Sequence, residues 1–291
     1  MLPFELPPPA GLSEFPKWDG QNFHIGNLCQ PVLEYSENFA GWSDDLTALH
    51  EEAAGDSHPI DLASRRDAIN QIKKCIPQGL GVVMEIGCSS GFLIQDLVKA
   101  LPKATIIGAD VVKEPLYRLA KNLPGVPLIR FDLLQCPLPS RSVDVLIMLN
   151  VLEHIQDDIN ALENAFELLK PGGSLIIEVP AGPRLYDAYD AELHHFRRYT
   201  ASELTTKLVN AGFAIQRKSH LGFLLFPAFA AVKLLNKTLP SRRNKSVVRN
   251  QAARTSANGV VKWAMALESR YMSSLSLPFG VRALAVAKRP N

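Results

Sequence analysis

The feature that most constrains the fold of this chain is a regular alternation of short apolar runs with amphipathic helical segments. The alternation starts near residue 61 and continues beyond residue 180. Its apolar runs are, in order, "GVVMEI", "ATIIGAD", "VPLIRFD", "VDVLIMLN" and "SLIIEVP". Such runs are typical of strands covered on both faces, and strands that alternate with helices form parallel sheets with right-handed crossovers. We therefore predict an α/β fold with a doubly wound sheet.

The loop after the first predicted strand limits the kind of ligand. It reads "EIGCSSG", from Glu85 to Gly91. A triphosphate loop needs a lysine after its last glycine, but Phe92 follows Gly91. A dinucleotide loop needs a glycine where Ser89 stands. The loop therefore suits a nucleoside that carries no phosphate chain, although its glycines would also serve a tight turn alone.

Acidic residues follow the next two predicted strands. Asp110 is placed to accept hydrogen bonds from ribose hydroxyls, or alternatively to cap the next helix. Asp132 is placed to accept from an adenine amino group. Ligands of such sheets bind at the carboxyl ends of the strands, where both acids are expected. A nucleoside with an amino-acid tail and a sulfonium cation satisfies these features, and S-adenosylmethionine is such a ligand.

Together these motifs resemble those of the class I S-adenosylmethionine-dependent methyltransferases, over about Ala68 to Pro290. "EIGCSSG" is similar to the acidic-x-Gly-x-Gly-x-Gly loop of that family and departs from it at Ser89. "FDLLQCPLPSRSVDVLIMLNVLEHI" and "LKPGGSLIIEVP" resemble the motifs around its third to fifth strands. The resemblance implies a cofactor site formed by Glu85, Gly87, Cys88, Ser89, Gly91, Asp110, Val111, Asp132, Leu133 and Asn150.

The same resemblance implies a Rossmann-like sheet of seven strands that ends in an antiparallel pair. "FAIQRKSH" and "FGVRALAVAKRP" are the expected strands six and seven, and about sixty residues separate them. We predict four parts: an irregular or helical N-terminal arm or lid (1–60), a cofactor-binding core (61–220), a helical insertion (221–275) and the last strand (276–291).

The segment "HHFRRYT" after the fifth strand supplies the predicted catalytic base, and one branch of the family carries a similar "HFRRYT". Methyl transfer from a sulfonium mainly requires alignment of the reactants, but a hydroxyl or protonated amine acceptor must also lose a proton. We predict that His195 removes it, because imidazole titrates near neutral pH. His154 is a weaker candidate for this role.

The same segment also has a structural interpretation, in which its residues fasten the loop to the next helix. Thr200 with Glu203 forms the pattern of a helix cap. Arg197 and Arg198 either anchor the loop or bind an anionic acceptor group. No metal site is predicted, since the adjacent His194 and His195 do not readily face one ion and no HxxxH spacing is present.

The insertion combines the apolar "LGFLLFPAFAAVKLL" with a basic section. The basic residues are Lys237, Arg242, Arg243, Lys245 and Arg249. This pattern fits either a helical cap over the acceptor pocket, with a homodimer contact as a further role, or peripheral contact with an anionic membrane. No nucleic-acid partner is predicted, because the net charge is only +2 and the basic section lacks interleaved aromatic residues.

Localisation is predicted to be cytoplasmic, with membrane association as the alternative. The four cysteines form no CxxC pair, which is typical of reduced thiols. The N-terminus lacks the pattern of a signal peptide, and no apolar run reaches the ~20 residues that span a bilayer.

The predicted function is methyl transfer from S-adenosylmethionine to a small lipophilic or aromatic acceptor. Two alternatives stay open at this point. One is methylation of RNA or protein with the same cofactor, and the other is a cofactor-binding protein without turnover.

Overall fold

An eight-stranded sheet forms the centre of the computed structural model, which describes residues 2–35, 56–238, 258–272 and 274–291. Eleven strands occur in these residues: β1 (Lys17–Trp18), β2 (Phe23–Ile25), β3 (Leu28–Gln30), β4 (Val32–Glu34), β5 (Val82–Ile86), β6 (Thr105–Asp110), β7 (Leu128–Arg130), β8 (Val143–Leu149), β9 (Leu169–Pro180), β10 (Ala214–Leu221) and β11 (Arg282–Lys288).

The strand order of the large sheet is β10-β11-β9-β8-β5-β6-β7-β4. Strands β4 to β9 run parallel, whereas β11 pairs antiparallel with both β9 and β10. The predicted α/β class, the mostly parallel sheet and the antiparallel pair are confirmed. The strand count differs from the predicted seven, because β4 adds a short parallel strand beside β7. Three residues are too few to show a strand periodicity in the sequence.

Helices cover both faces of this sheet. They are α1 (Pro59–Cys75), α2 (Phe92–Ala100), α3 (Lys113–Asn122), α4 (Asp158–Leu168), α5 (Ala188–Glu192), α6 (Ala201–Asn210), α7 (Phe226–Thr238) and α8 (Gly259–Tyr271). Helices α1, α2 and α3 pack on one face, where Ile72, Leu97 and Leu116 are buried. Helices α4 and α6 pack on the other face through Leu162 and Leu204. The sheet is thus doubly wound, and the carboxyl ends of β5, β6 and β8 lie together.

Residues 2–35, within the predicted N-terminal arm or lid, contain the short strands β1 to β4 joined by irregular segments, and α1 begins at Pro59 near the predicted boundary. Strands β1, β2 and β3 form a small antiparallel sheet. Leu6, Phe23 and Leu33 are buried in the cluster on the α4 and α6 face. Residues 36–55, with the aromatic Phe39 and Trp42, lie outside the described residues.

In the described part of the insertion, helices α7 and α8 lie between β10 and β11. Met265 of α8 packs with Ile60 of α1 and with Leu221 and Val281, which flank the insertion. The basic residues Arg242, Arg243, Lys245 and Arg249 lie outside the described residues. Within the described ranges, no helix has both the length and the apolar character needed to cross a bilayer.

Candidate active site

Two glycines in a left-handed conformation shape the loop between β5 and α2. Gly87 has a φ of +76° and Gly91 a φ of +74°, values that side chains rarely adopt. A Cβ on Gly87 would collide with the Val151 side chain, and a Cβ on Gly91 with that of Leu119. Ser89 also has a positive φ, +48°, which explains why a glycine suits this position of the motif.

The carboxylate of Asp110 fastens this loop to the end of β6. It accepts hydrogen bonds from the backbone N–H groups of Ser89 (2.7 Å), Val111 (2.7 Å) and Val112 (3.2 Å). The N-cap residue of α3 is Val112, so Asp110 is not the cap that the alternative interpretation proposed. The structure thus brings Ser89, Asp110 and Val111 together at the ends of two adjacent parallel strands.

Two buried side chains line the start of the same loop. Burial and the charge of Asp110 raise the pKa of Glu85 to about 8, and its Oε2 has no hydrogen-bond partner among the described residues. Burial also raises the pKa of the Cys88 thiol well above its ordinary value. Cys88 packs in the core against the α1–α3 face, as expected of a small loop residue.

The remaining predicted cofactor residues follow β7 and β8. Asp132 caps the short 3-10 helix Leu133–Gln135, because its Oδ1 accepts from the backbone N–H of Leu134 at 2.8 Å. Leu133 is buried. Asn150 adopts a φ of +55° and its N–H donates to the Glu178 carbonyl at 2.9 Å. The cofactor roles of these three residues stay predictions.

A second group of polar residues, which we call the polar cluster, consists of Glu153, His154 and His195. One candidate ligand atom from each lies within 4.8 Å of the others. The rings of His154 and His195 meet edge to face with centroids 4.7 Å apart. The N–H of Phe196 donates to the Glu153 carbonyl at 2.8 Å and joins the loops after β8 and β9. The cluster therefore forms where two strands end.

Glu153 is the most enclosed member of the polar cluster. Its side chain is fully buried, and neither carboxyl oxygen has a hydrogen-bond partner among the described residues. Burial raises the pKa of this carboxyl to about 8. Unpaired buried carboxyl groups are costly and uncommon in folded proteins, so this position calls for a functional explanation.

Asp190 fixes the orientation of His195. Its Oδ1 lies 2.9 Å from His195 Nδ1 and 2.8 Å from Arg198 Nε, and its Oδ2 lies 3.0 Å from Lys233 Nζ. Burial opposes ionisation of Asp190, but the His195 hydrogen bond and the charges of Lys233 and Arg198 hold its pKa far below the usual range. An ionised Asp190 requires a proton on Nδ1, which leaves the lone pair on Nε2.

His195 is a neutral imidazole at neutral pH in this setting. Burial lowers its pKa below the ordinary value, and the nearby Asp190 only partly opposes that effect. The adjacent His194 is exposed and has a φ of +55°, so it does not belong to the polar cluster. The predicted base is therefore held in the tautomer that accepts a proton at Nε2.

The two arginines of "HHFRRYT" act as loop anchors. Arg197 forms an ion pair with Asp158 (2.8 Å) and donates to the Gln156 carbonyl. Arg198 pairs with Asp190 and donates to the Ala181 carbonyl at 3.0 Å. Thr200 caps α6 by accepting from the Glu203 N–H at 3.0 Å, which confirms the predicted cap.

Sequence reasoning missed Glu153, Asp190 and Lys233 as parts of the site. Glu153 and His154 were visible as a polar pair directly after the fourth strand of the core. Asp190 and Lys233 had no such signal, because they meet only when α7 folds back on the loop after β9.

A methyltransferase domain family matches residues 84–177 of this chain, which include β5 to most of β9. A proposed S-adenosylmethionine-dependent methyltransferase from Mycolicibacterium smegmatis is 31% identical over 139 residues, which are 46% of this chain and 52% of that protein. A trans-aconitate 2-methyltransferase from Azoarcus sp. is 29% identical over 129 residues, or 44% of this chain and 48% of that protein. The chain thus spans about half the length of these curated relatives.

The fold also resembles a solved structure. A proposed sarcosine dimethylglycine methyltransferase from Galdieria sulphuraria superposes with a TM-score of 0.59 at 12% identity, covering 85% of this chain and 99% of the other. The core therefore has a Rossmann-like methyltransferase fold, and residues 84–177 match a methyltransferase domain family.

Proposed function

We propose that this chain transfers a methyl group from S-adenosylmethionine to a small acceptor. One observation carries the proposal: the Gly87–Gly91 loop is bound by the Asp110 carboxylate at the ends of adjacent parallel strands, inside the matched domain. A tight backbone with no neighbouring lysine suits a nucleoside and its amino-acid tail.

Each part of the cofactor has candidate partners in this arrangement. Asp110 would accept from the ribose hydroxyls, beside Val111, which would cover one face of the adenine. Asp132 and Leu133 would meet the other side of the adenine ring. The amino-acid tail would lie over the loop of Gly87, Cys88 and Gly91, close to Glu85 and Asn150. These assignments rest on the resemblance and on the clustering of the residues at the strand ends.

We infer that the acceptor binds next to the polar cluster. Val151 contacts Gly87 of the cofactor loop, and Glu153 follows two residues later. A methyl group held over the loop would therefore be close to His195, whose Nε2 is free of the Asp190 contact. We assign proton removal from the acceptor to His195, in agreement with the sequence prediction.

The insertion supports a lipophilic or aromatic acceptor. A cleft of about 490 Å³ lies between the loop after β9 and the insertion, and its walls include Tyr199, Phe226 and Phe279. Phe279 stacks on Phe223 with ring centroids 4.6 Å apart. Apolar pockets with a few polar groups are typical of small-molecule sites. The relative named trans-aconitate 2-methyltransferase supports a small molecule over RNA or protein as the acceptor.

Two measurements on the full chain test the proposal. Calorimetry should show one S-adenosylmethionine per chain, and Asp110→Ala should weaken it strongly because the loop loses its carboxylate. Absence of binding by the wild-type chain would refute the cofactor assignment. Demethylated cofactor should form with lipophilic small acceptors, whereas turnover only with RNA or protein would refute the acceptor class.

We also propose peripheral contact with an anionic membrane through the insertion. Val232 and Leu235 of α7 and Val260 and Trp263 of α8 are 52% to 71% exposed, and the basic section follows α7 in the sequence. Exposed apolar groups next to basic ones favour anionic lipid surfaces. The cytoplasmic location and the homodimer stay predictions.

Vesicle flotation tests this contact. The chain should float with vesicles that contain phosphatidylserine but not with phosphatidylcholine alone. Trp263→Ser should reduce flotation, whereas Val209→Ser, at an exposed apolar position on α6 outside the insertion, should not. Equal flotation of the wild-type chain and the Trp263 variant would contradict the proposal.

A further inference from the structure

We propose that the polar cluster of Glu153, His154 and His195 binds a first-row divalent transition metal such as Zn²⁺. One carboxylate and two imidazoles supply three donors, and their candidate ligand atoms lie within 4.8 Å of one another. Imidazole nitrogen favours zinc and its neighbours over magnesium and calcium, which prefer oxygen donors. This inference deepens the proposed function and rests on it where catalysis is concerned.

The buried carboxyl of Glu153 is the first independent support. It is fully enclosed, and both of its oxygens lack hydrogen-bond partners among the described residues. Nearby cations do not satisfy it, because Arg198 is bound to Asp190 and Arg282 to Glu178. A metal ion would give the carboxyl oxygens a partner that no described side chain supplies through a hydrogen bond.

The hydrogen bond between Asp190 and His195 is the second independent support for the metal site. Histidines that bind metals usually donate their other ring N–H to a carboxylate, which fixes the tautomer and the ring orientation. Here Nδ1 faces Asp190 at 2.9 Å, so Nε2 is the nitrogen left to coordinate. The hydroxyl of Tyr186 donates to the His195 carbonyl at 2.7 Å and holds the backbone as well.

The distances require a small closure on binding. Metal–ligand bonds of about 2.0–2.2 Å place neighbouring ligand atoms of a tetrahedral site roughly 3.4 Å apart. Since the candidate ligand atoms lie within 4.8 Å of one another, each pair would have to approach by at most about 1.4 Å. Three protein ligands leave a fourth position open, as in catalytic zinc sites.

An open position beside the cofactor loop suggests what the metal does. An acceptor hydroxyl bound there would have a lowered pKa and release its proton to solvent. The resulting oxygen would attack the methyl carbon, so that a C–O bond forms while the C–S bond breaks and the sulfonium becomes a neutral thioether. In the metal-bound chain His195 would promote proton removal as a ligand, whereas in the metal-free chain it would act as the base assigned above. The sequence prediction of no metal rested on the adjacent His194 and His195 and on the lack of an HxxxH spacing, and neither argument includes the approach of His154 to His195.

Cobalt titration of metal-stripped full chain tests the site without relying on activity. One equivalent of Co²⁺ should bind and give the visible absorption bands of a low-coordinate cobalt–imidazole centre, and Zn²⁺ should displace it. Glu153→Gln and His195→Gln should each weaken Co²⁺ binding at least about tenfold. Asp190→Asn should weaken it about 10- to 100-fold, because the His195 ring loses the carboxylate that orients it. Circular dichroism would establish that each variant is folded.

His194→Asn is the matched control, because His194 is an exposed neighbour whose positive φ asparagine tolerates. It should bind Co²⁺ like the wild-type chain. No stoichiometric binding, or unchanged affinity in folded Glu153→Gln and His195→Gln variants, would overturn the metal site. S-adenosylmethionine binding by the same preparation separates the two proposals, since cofactor binding without cobalt binding would leave the methyltransferase proposal intact.

Discussion

At the residue scale, alanine substitutions at two glycines can distinguish the cost of a left-handed backbone from the cost of side-chain crowding. Gly87→Ala should destabilise the chain by about 2–5 kcal/mol, since left-handed backbone costs about 1–2 kcal/mol and overpacking about 1–3 kcal/mol. Gly79 has a similar φ, +68°, but nothing lies within 4 Å of its Cβ position. Gly79→Ala should therefore lower the free energy of unfolding only by the backbone cost of about 1–2 kcal/mol. Urea unfolding measures the free energy of unfolding of both variants. Equal decreases in Gly87→Ala and Gly79→Ala would refute crowding by Val151.

Glu85 should make the stability of the apo chain depend on pH. Its pKa is about 8 in the folded chain, above its ordinary value. Between the two pKa values only the unfolded chain ionises, so the free energy of unfolding should fall as pH rises towards 8 and then level off. The total change is at most several kcal/mol, because one pKa unit corresponds to about 1.4 kcal/mol.

Urea unfolding from pH 5 to 9 measures this effect. Glu85→Gln should reduce the slope across that range without abolishing it, because burial also raises the pKa of Glu153 to about 8. Glu163→Gln, an exposed position on α4, should leave it as in the wild-type chain. A slope in Glu85→Gln equal to that of the wild-type chain would contradict a contribution from Glu85.

The sequence was informative about residues whose type is unusual at their position. Glycines at a strand-to-helix corner and an acid at the next strand end identified the loop and Asp110 before any coordinates. The sequence did not indicate the buried carboxyl of Glu153 that lacks a hydrogen-bond partner among the described residues. A glutamate near the start of a helix is common, and only its burial makes this one unusual. Contacts such as that of Asp190 with Lys233 join residues 43 positions apart in the sequence and have no local signature.

At the scale of elements, Lys233 ties α7 to the active-site loop. It is buried between Asp187 (2.6 Å) and Asp190 (3.0 Å). Lys233→Met should lower the free energy of unfolding by about 3–5 kcal/mol, because it leaves buried carboxylates without their cation. Lys262→Met on α8, an exposed position, should have little effect. Thermal unfolding of both variants measures the difference, and similar values would show that the buried pair contributes little.

The strands that are buried on both faces could be predicted from the sequence, whereas the short strands of the N-terminal arm could not. The five parallel strands of the core were recognisable because both faces are covered, which makes them continuous apolar runs. Strands β1 to β4 have two or three residues each, too few for any periodicity. Their assignment depends on partners from distant parts of the chain, such as β7 for β4.

At the scale of the whole molecule, the last strand of the chain lies inside the sheet. Strand β11 is inserted between β9 and β10, and Ala283, Ala285 and Ala287 are fully buried. A chain ending at residue 281 should therefore fail to fold cooperatively, because two strands lose their only shared neighbour. Deletion of the exposed Pro290 and Asn291 should be tolerated. Urea unfolding followed by circular dichroism distinguishes the outcomes, and a cooperative transition in the shorter chain would contradict the expectation.

The two open edges of the large sheet bear on how copies of this chain meet one another. Strand β4 offers only three residues at one edge, and β10 carries Arg217 and Lys218 at the other. Short strands and charged side chains discourage the addition of a further strand. Continuous sheet formation between molecules is thus disfavoured at both described edges.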